Sequence, residues 1–216
     1  MLAESKVYSE NEMDPISYPI SHINPTRSSL DKLDHGQLEL SANRSTILHL
    51  VAKFGDVKYV KEILQRHPSL IYMRNSHGET PAYVAARDGH LDILAMMIKH
   101  FQTKDDDTEL LLTRSMDKNT SLHIAIENHH VGVVFLLAKE VPRLVKCIND
   151  FGESSLYLAA ERQYHPIILQ LTKDMRKDQA FDGPNGRTAL HAAAIVGSQG
   201  NFYPVIPFFN NWSIKV

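Results

Sequence analysis

An all-α solenoid of stacked helix-turn-helix units with hairpin loops is the fold class this sequence predicts, and three observations predict it. Five segments share one pattern: Thr46-Ile47-Leu48-His49, Thr80-Pro81-Ala82-Tyr83, Thr120-Ser121-Leu122-His123, Ser154-Ser155-Leu156-Tyr157 and Thr188-Ala189-Leu190-His191, with starts separated by 34, 40, 34 and 34 residues. Each is followed by a triplet of small or aliphatic residues, and three of the five then reach a glycine turn. After the first four, a second apolar pattern recurs with spacing i, i+1, i+4, i+5, a stripe that one unit cannot bury alone.

Each element follows from local chemistry. A threonine or serine opening a helix accepts a hydrogen bond from an orphan backbone N–H, and Pro81 directly after Thr80 suits the first helical position. The triplets Leu50-Val51-Ala52, Val84-Ala85-Ala86, Ile124-Ala125-Ile126, Leu158-Ala159-Ala160 and Ala192-Ala193-Ala194 let neighbouring helices approach closely. Gly55, Gly89 and Gly197 then end the first helix in a left-handed turn. His129 and Gln163 stand where the third and fourth units should have glycine, so those turns are expected to be strained or differently built. The second helices carry Tyr59, Val60, Ile63 and Leu64; Ile93, Leu94, Met97 and Ile98; Val133, Val134, Leu137 and Ala138; and Ile167, Ile168, Leu171 and Thr172. Sequential stacking is the arrangement that buries all four stripes.

The domain organisation follows from where the pattern holds. Residues 41–197 contain four full repeats and one half repeat. Residues 1–40 form an irregular N-terminal segment containing Pro15, Pro19 and Pro25, with Leu30 to Leu40 expected as a short capping helix over repeat one. The longer second spacing places an insertion near Lys104-Asp105-Asp106-Asp107-Thr108-Glu109, which reads as a solvated loop and lacks the glycine-turned frame of a calcium site. Residues 198–216 form a non-repeat tail with Pro204, Pro207 and the aromatics Phe202, Tyr203, Phe208, Phe209 and Trp212. That tail either folds Phe208, Phe209 and Trp212 over the last helix or stays disordered.

Composition excludes several function classes. The formal net charge of -2 supplies no cationic field for phosphates, so no nucleic-acid partner is expected. No run of about 18 uncharged apolar residues exists, so no direct membrane span is expected, and the N-terminus lacks the apolar core of a secretory signal. A lone cysteine, Cys147, cannot form an internal disulfide; an intracellular, cytoplasmic location is expected, with Cys147 as a small buried hydrophobe. No catalytic residue, metal site or cofactor is assigned. His49, His123 and His191 sit at helix starts and His90 at a turn, while His129, His130 and His165 lack an accompanying ligand cluster for zinc. Gly152-Glu153-Ser154-Ser155-Leu156 fails the nucleophile-elbow pattern of a hydrolase, and Gly183-Pro184-Asn185-Gly186-Arg187-Thr188 lacks the spacing and lysine of a phosphate loop. A hydrolase or metal-dependent enzyme is therefore disfavoured, and a non-enzymatic binding module is preferred.

The pattern T-P-L-H-x-A-A-x-x-G-H resembles ankyrin repeats, with Gly78-Glu79-Thr80-Pro81-Ala82-Tyr83-Val84-Ala85-Ala86-Arg87-Asp88-Gly89-His90 as the nearest copy. Pro68-Ser69-Leu70 with Asn75, Pro142-Arg143-Leu144 with Asn149, and the string from Gly183 to Ala193 resemble the plant ankyrin proteins of the accelerated-cell-death class, whose full-length members carry a C-terminal membrane-spanning PGG domain. The resemblance implies a protein-interaction scaffold in defence, salicylate or stress signalling, whose full-length relatives sit at the plasma membrane. It leaves the partner protein unidentified. A second implied role is a regulatory lobe that associates with a full-length, membrane-anchored relative. The half repeat and the absent membrane domain make the chain read as a truncated or alternatively ended member.

In such stacks the helix-start histidine hydrogen-bonds nearby backbone and the threonine hydroxyl, and partners meet the hairpin tips and the concave side of the first helices. Carried over position by position, the candidate partner-binding residues are Asn43, Ser45, Lys53 and Phe54 in repeat one and Ser76, His77, Glu79, Arg87 and Asp88 in repeat two. Repeat three contributes Met116, Asp117, Asn119, Glu127 and Asn128, and repeat four contributes Asp150, Phe151, Glu153, Glu161 and Arg162. Phe54 and Phe151 are expected as aromatic anchors.

Overall fold

Hydroxyl caps set the first helices of repeats two, three and four. A computed structural model of the chain describes residues 43–102, 111–173 and 182–197. Within them lie α1 (Ile47–Phe54), α2 (Val57–Arg66), α3 (Pro81–Arg87), α4 (Leu91–Gln102), α5 (Ser121–Glu127), α6 (Val131–Glu140), α7 (Ser155–Glu161), α8 (His165–Lys173) and α9 (Ala189–Gly197). Thr80, Thr120 and Ser154 accept the backbone N–H three residues on, from Tyr83, His123 and Tyr157, satisfying a donor that the helix leaves orphaned. The N-terminal capping helix, the acidic insertion and the aromatic tail expected from sequence lie outside the described residues.

The stack is sequential. α1 packs on α3, α3 on α5, α5 on α7 and α7 on α9, while α2 packs on α4, α4 on α6 and α6 on α8. Two rows of helices result, with the core between them and through the length of the stack. Leu48, Ala52, Val60, Ile63, Ala85, Ile93, Leu94 and Met97 are buried on the first two repeats, and Leu122, Ala125, Val134, Leu137, Leu156 and Ile167 continue that core. Of the predicted second-helix stripes, only Tyr59, Ala138 and Thr172 remain half-buried. Single-turn 3₁₀ helices at Pro68–Tyr72 and Pro142–Lys146 return the chain from the second helix toward the next hairpin, burying Leu70, Ile71, Leu144 and Val145.

The turns without glycine keep the geometry of those with it. Gly55 and Gly89 have φ of 80° and 79°, and His129 and Gln163 adopt 63° and 57°. In all four units the next residue's N–H reaches back to a first-helix carbonyl: Asp56 to Val51, His90 to Ala85, His130 to Ala125 and Tyr164 to Ala159. Of the two alternatives the sequence left open, strain is the one adopted. Cys147 is half-buried instead of buried, because it ends the 3₁₀ turn at the surface with its thiol 3.7 Å from the Arg143 carbonyl.

Candidate functional site

Hairpin loops precede each first helix, and backbone hydrogen bonds tie each tip to the one before it. Ser76 N–H donates to the Asn43 carbonyl at 2.8 Å, Met116 N–H to His77 at 2.9 Å, and Asp150 N–H to Asp117 at 3.1 Å. Ser154 N–H then donates to Asp182 at 2.9 Å, carrying the ladder to the last half repeat. Two asparagines brace individual tips. The Asn75 Oδ1 accepts from His77 and Glu79 N–H while its Nδ2 donates to Glu79. Asn149 does the same with Phe151 and Glu153, and also donates to buried Asn119 at 3.0 Å.

The candidate residues separate into exposed side chains and parts of the frame. Phe54, Met116 and Phe151 stand 57%, 72% and 54% exposed. Lys53, Ser76, His77, Asp117, Asn128, Asp150 and Glu161 are also exposed. Ser45 and Asn119 are corrections: each is only 7% exposed, with the Ser45 backbone N–H donating to Asn43 Oδ1 and the Asn119 side chain accepting from Asn149. Both side chains are buried among the loops. Asn43 and Glu79 are half-buried, and Glu79 is clamped by Asn75 and by Arg87 Nη1 at 2.6 Å. Arg87 also lies 3.7 Å from Asp88, and Asn128 Nδ2 donates to the Arg87 carbonyl. In repeats three and four, Lys118 pairs with Asp150, and Arg162 is shared by Glu161 at 3.4 Å and Glu127 at 4.0 Å. Burial pushes the Glu127 carboxyl up, Arg162 opposes that, and Glu153 and Asp117 add to it.

The helix-start side chains form the joints beneath this face. Thr46 N–H donates to His49 Nδ1, whose far nitrogen Nε2 donates to the Glu79 carbonyl at 3.0 Å. Thr120, His123 and the Glu153 carbonyl repeat the arrangement. Nδ1 accepts and Nε2 donates in each, which requires the neutral imidazole. Burial accordingly holds both histidines low, His123 at about 4. Tyr83 and Tyr157 occupy the same position in repeats two and four, where their hydroxyls face Ser115 and Arg187 of the next hairpin. His191 meets Thr188 in the same way on the last described helix, exposed.

A second set of joints was not visible from the sequence. His90 Nε2 lies 2.8 Å from the Lys53 carbonyl, and His130 Nε2 lies 2.9 Å from that of Arg87. Each ring covers the preceding turn glycine so closely that a Cβ on Gly55 or Gly89 would approach it to 2.6 or 2.5 Å. Where the turn residue is His129, the next repeat brings Tyr164 against it instead of a histidine. The signal lay in pairs of positions one repeat apart, Gly55 with His90 and Gly89 with His130.

Among the described residues no group of three or more histidine, cysteine or acidic side chains is placed to hold a metal ion. His130, one of the zinc candidates, is committed to Arg87. Ser154 caps α7 and is fully buried. No described helix is long and apolar enough to cross a membrane.

The family model for ankyrin repeats (3 copies) matches residues 27–109, 48–146 and 122–202. The chain is 29% identical to Protein ACCELERATED CELL DEATH 6 of Arabidopsis thaliana, over 59% of this chain and 21% of that protein. It is 29% identical to an ankyrin repeat-containing protein of the same plant, over 49% of this chain and 20% of the relative. It is 28% identical to the target of rapamycin complex 2 subunit AVO2 of Saccharomyces cerevisiae, over 67% of this chain and 33% of that subunit. The matched part therefore spans a fifth to a third of these relatives' lengths.

Proposed function

The chain belongs to the ankyrin-repeat family, an interaction scaffold, and from that premise we propose that it works without catalysis, holding another protein against its hairpin tips and first-helix face. One observation carries this reading: Phe54 is held out in solvent at the end of α1, and Met116 and Phe151 on hairpin loops whose backbone is already hydrogen-bonded from repeat to repeat. Ordering a loop is a large cost of association, and here that cost is met on folding. The binding unit is the repeat region 41–197, with 1–40 and 198–216 as flanks. Likeness to Protein ACCELERATED CELL DEATH 6 supports a plant defence or stress context at the level of resemblance.

The test compares capture by the immobilised chain with capture by Phe54→Ala/Phe151→Ala. Partners held by the first and lost by the second, with affinity weaker by at least about 2 kcal/mol and circular dichroism unchanged, support the reading. Partners held equally by both move the contact off this face. A second reading, a regulatory lobe on a membrane-anchored relative, draws support from Ile195, which stands exposed on α9 at the end of the described stack. Co-purification with such a relative, abolished by Ile195→Lys, favours it over a free adaptor.

A further inference from the structure

Met116 and Phe151 are the large apolar side chains that the tips of repeats three and four leave in solvent. A lone exposed apolar residue is ordinary. These two are fixed on their loops: Met116 N–H is held by the His77 carbonyl, and Phe151 N–H by Asn149 Oδ1. The same tips and the first helices below them carry Asp117, Glu127, Asp150, Glu153 and Glu161. Of the nearby cations, Lys118 is on Asp150 and Arg162 is divided between Glu127 and Glu161, while Arg114 donates to the Ile148 carbonyl at 3.3 Å and Arg187 of the next hairpin faces Tyr157. Asp117 and Glu153 have no ion-pair partner among the described residues; Asp117 lies on the tip bonded to Asp150, Glu153 on the tip braced by Asn149, and Glu127 reaches Arg162 of repeat four, so these three carboxylates lie on adjoining tips and first helices. Repeats one and two differ, because there Arg87 answers both Glu79 and Asp88 and Lys53 adds a cation.

Resting on the protein-binding reading above, we propose that the tips of repeats three and four bind an extended cationic segment of the partner, in which lysine or arginine flanks a large apolar side chain. The apolar side chain covers Met116 and Phe151, and the cation completes the carboxylate group of Asp117, Glu127 and Glu153. An acidic segment is repelled there, and a neutral one leaves carboxylates desolvated without a counter-charge.

Selection of a random peptide library on the immobilised full chain tests this. Enriched peptides should combine lysine or arginine with a large apolar residue, and their binding should weaken as salt rises. Phe151→Ser and Asp117→Lys should each weaken them about tenfold or more, with Asp117→Asn as the milder variant should the lysine disturb the tip. Enriched peptides that are acidic or uncharged, or that ignore all three variants, overturn the proposal. Peptides that instead depend on Phe54 overturn it while leaving the protein-binding reading intact, and the absence of any enriched peptide counts against both.

Discussion

At the residue scale, the helix-start histidines trade charge for structure. His49 and His123 each accept a backbone N–H on Nδ1 and donate from Nε2 to the next repeat, and a second proton on either ring breaks the Nδ1 contact. Both are held below the ordinary value of 6.5, His123 at about 4. Between those values the unfolded chain binds the proton and the folded chain does not, so the contribution is complete above pH 6.5 and is lost as pH falls toward 4. For His123 alone the loss reaches about 2 kcal/mol by pH 5. The raised Glu127 carboxyl acts in the opposite sense at the acid end and offsets part of it. Urea unfolding at pH 7 and pH 5 should show this drop, and His123→Gln should flatten it; an unchanged slope in the variant would remove His123 from the account. A separate prediction concerns Ser121 and Ser155, buried at the position where repeat two has Pro81, with side-chain oxygens that find no partner. The residues before them are extended, at ψ 169° and 160°, as proline requires. Ser155→Pro is expected to raise stability by about 1 kcal/mol, read as a higher urea midpoint at the same slope.

At the element scale, the turn between the two helices of a repeat is one shape met by different residues. Gln163, exposed at φ 57°, carries a side chain where glycine would fit without steric cost. Gln163→Gly should therefore stabilise by about 1 kcal/mol. Gly89→Ala should destabilise by more than that, since a methyl there also meets the His130 ring. Thermal melts of the two variants should move in opposite directions, and movement in the same direction would contradict the common turn. The helices themselves were legible because their burial is periodic: Thr46, Thr80, Thr120 and Ser154 marked the starts, and Ile93, Leu94, Met97 and Ile98 are buried as their spacing requires. The joints were not. A glycine can be read as a turn from one repeat, but the reason it must be glycine lies in a histidine about 40 residues away or fewer. For the candidate face, position in the repeat identified the exposed Phe54, Met116 and Phe151, yet it could not distinguish them from the buried Ser45 and Asn119, the second of which spends its side chain on Asn149.

At the scale of the whole molecule, the main packing between described repeats is between neighbours, so stability is approximately a sum of units and the joints between them. At the joint between repeats three and four, one side chain both braces its own tip and crosses to the preceding repeat. Asn149 donates to Asn119 and Glu153 and accepts from the N–H groups of Phe151 and Glu153. Asn149→Ala removes all of these and leaves the buried Asn119 Oδ1 without that donor, a cost of about 2 to 3 kcal/mol. In a single cooperative globule that cost would lower protection everywhere alike. In a linear stack it falls on one junction: α1 to α4 keep their own contacts, while α7 to α9 lose part of what ties them to α5 and α6. Hydrogen exchange followed by mass spectrometry should therefore show faster exchange across α7 to α9, little change in α1 to α4, and a broader urea transition than the unsubstituted chain. Uniform loss of protection along all nine described helices would mean that the repeats do not open independently, and that the tips of repeats three and four cannot move without the rest.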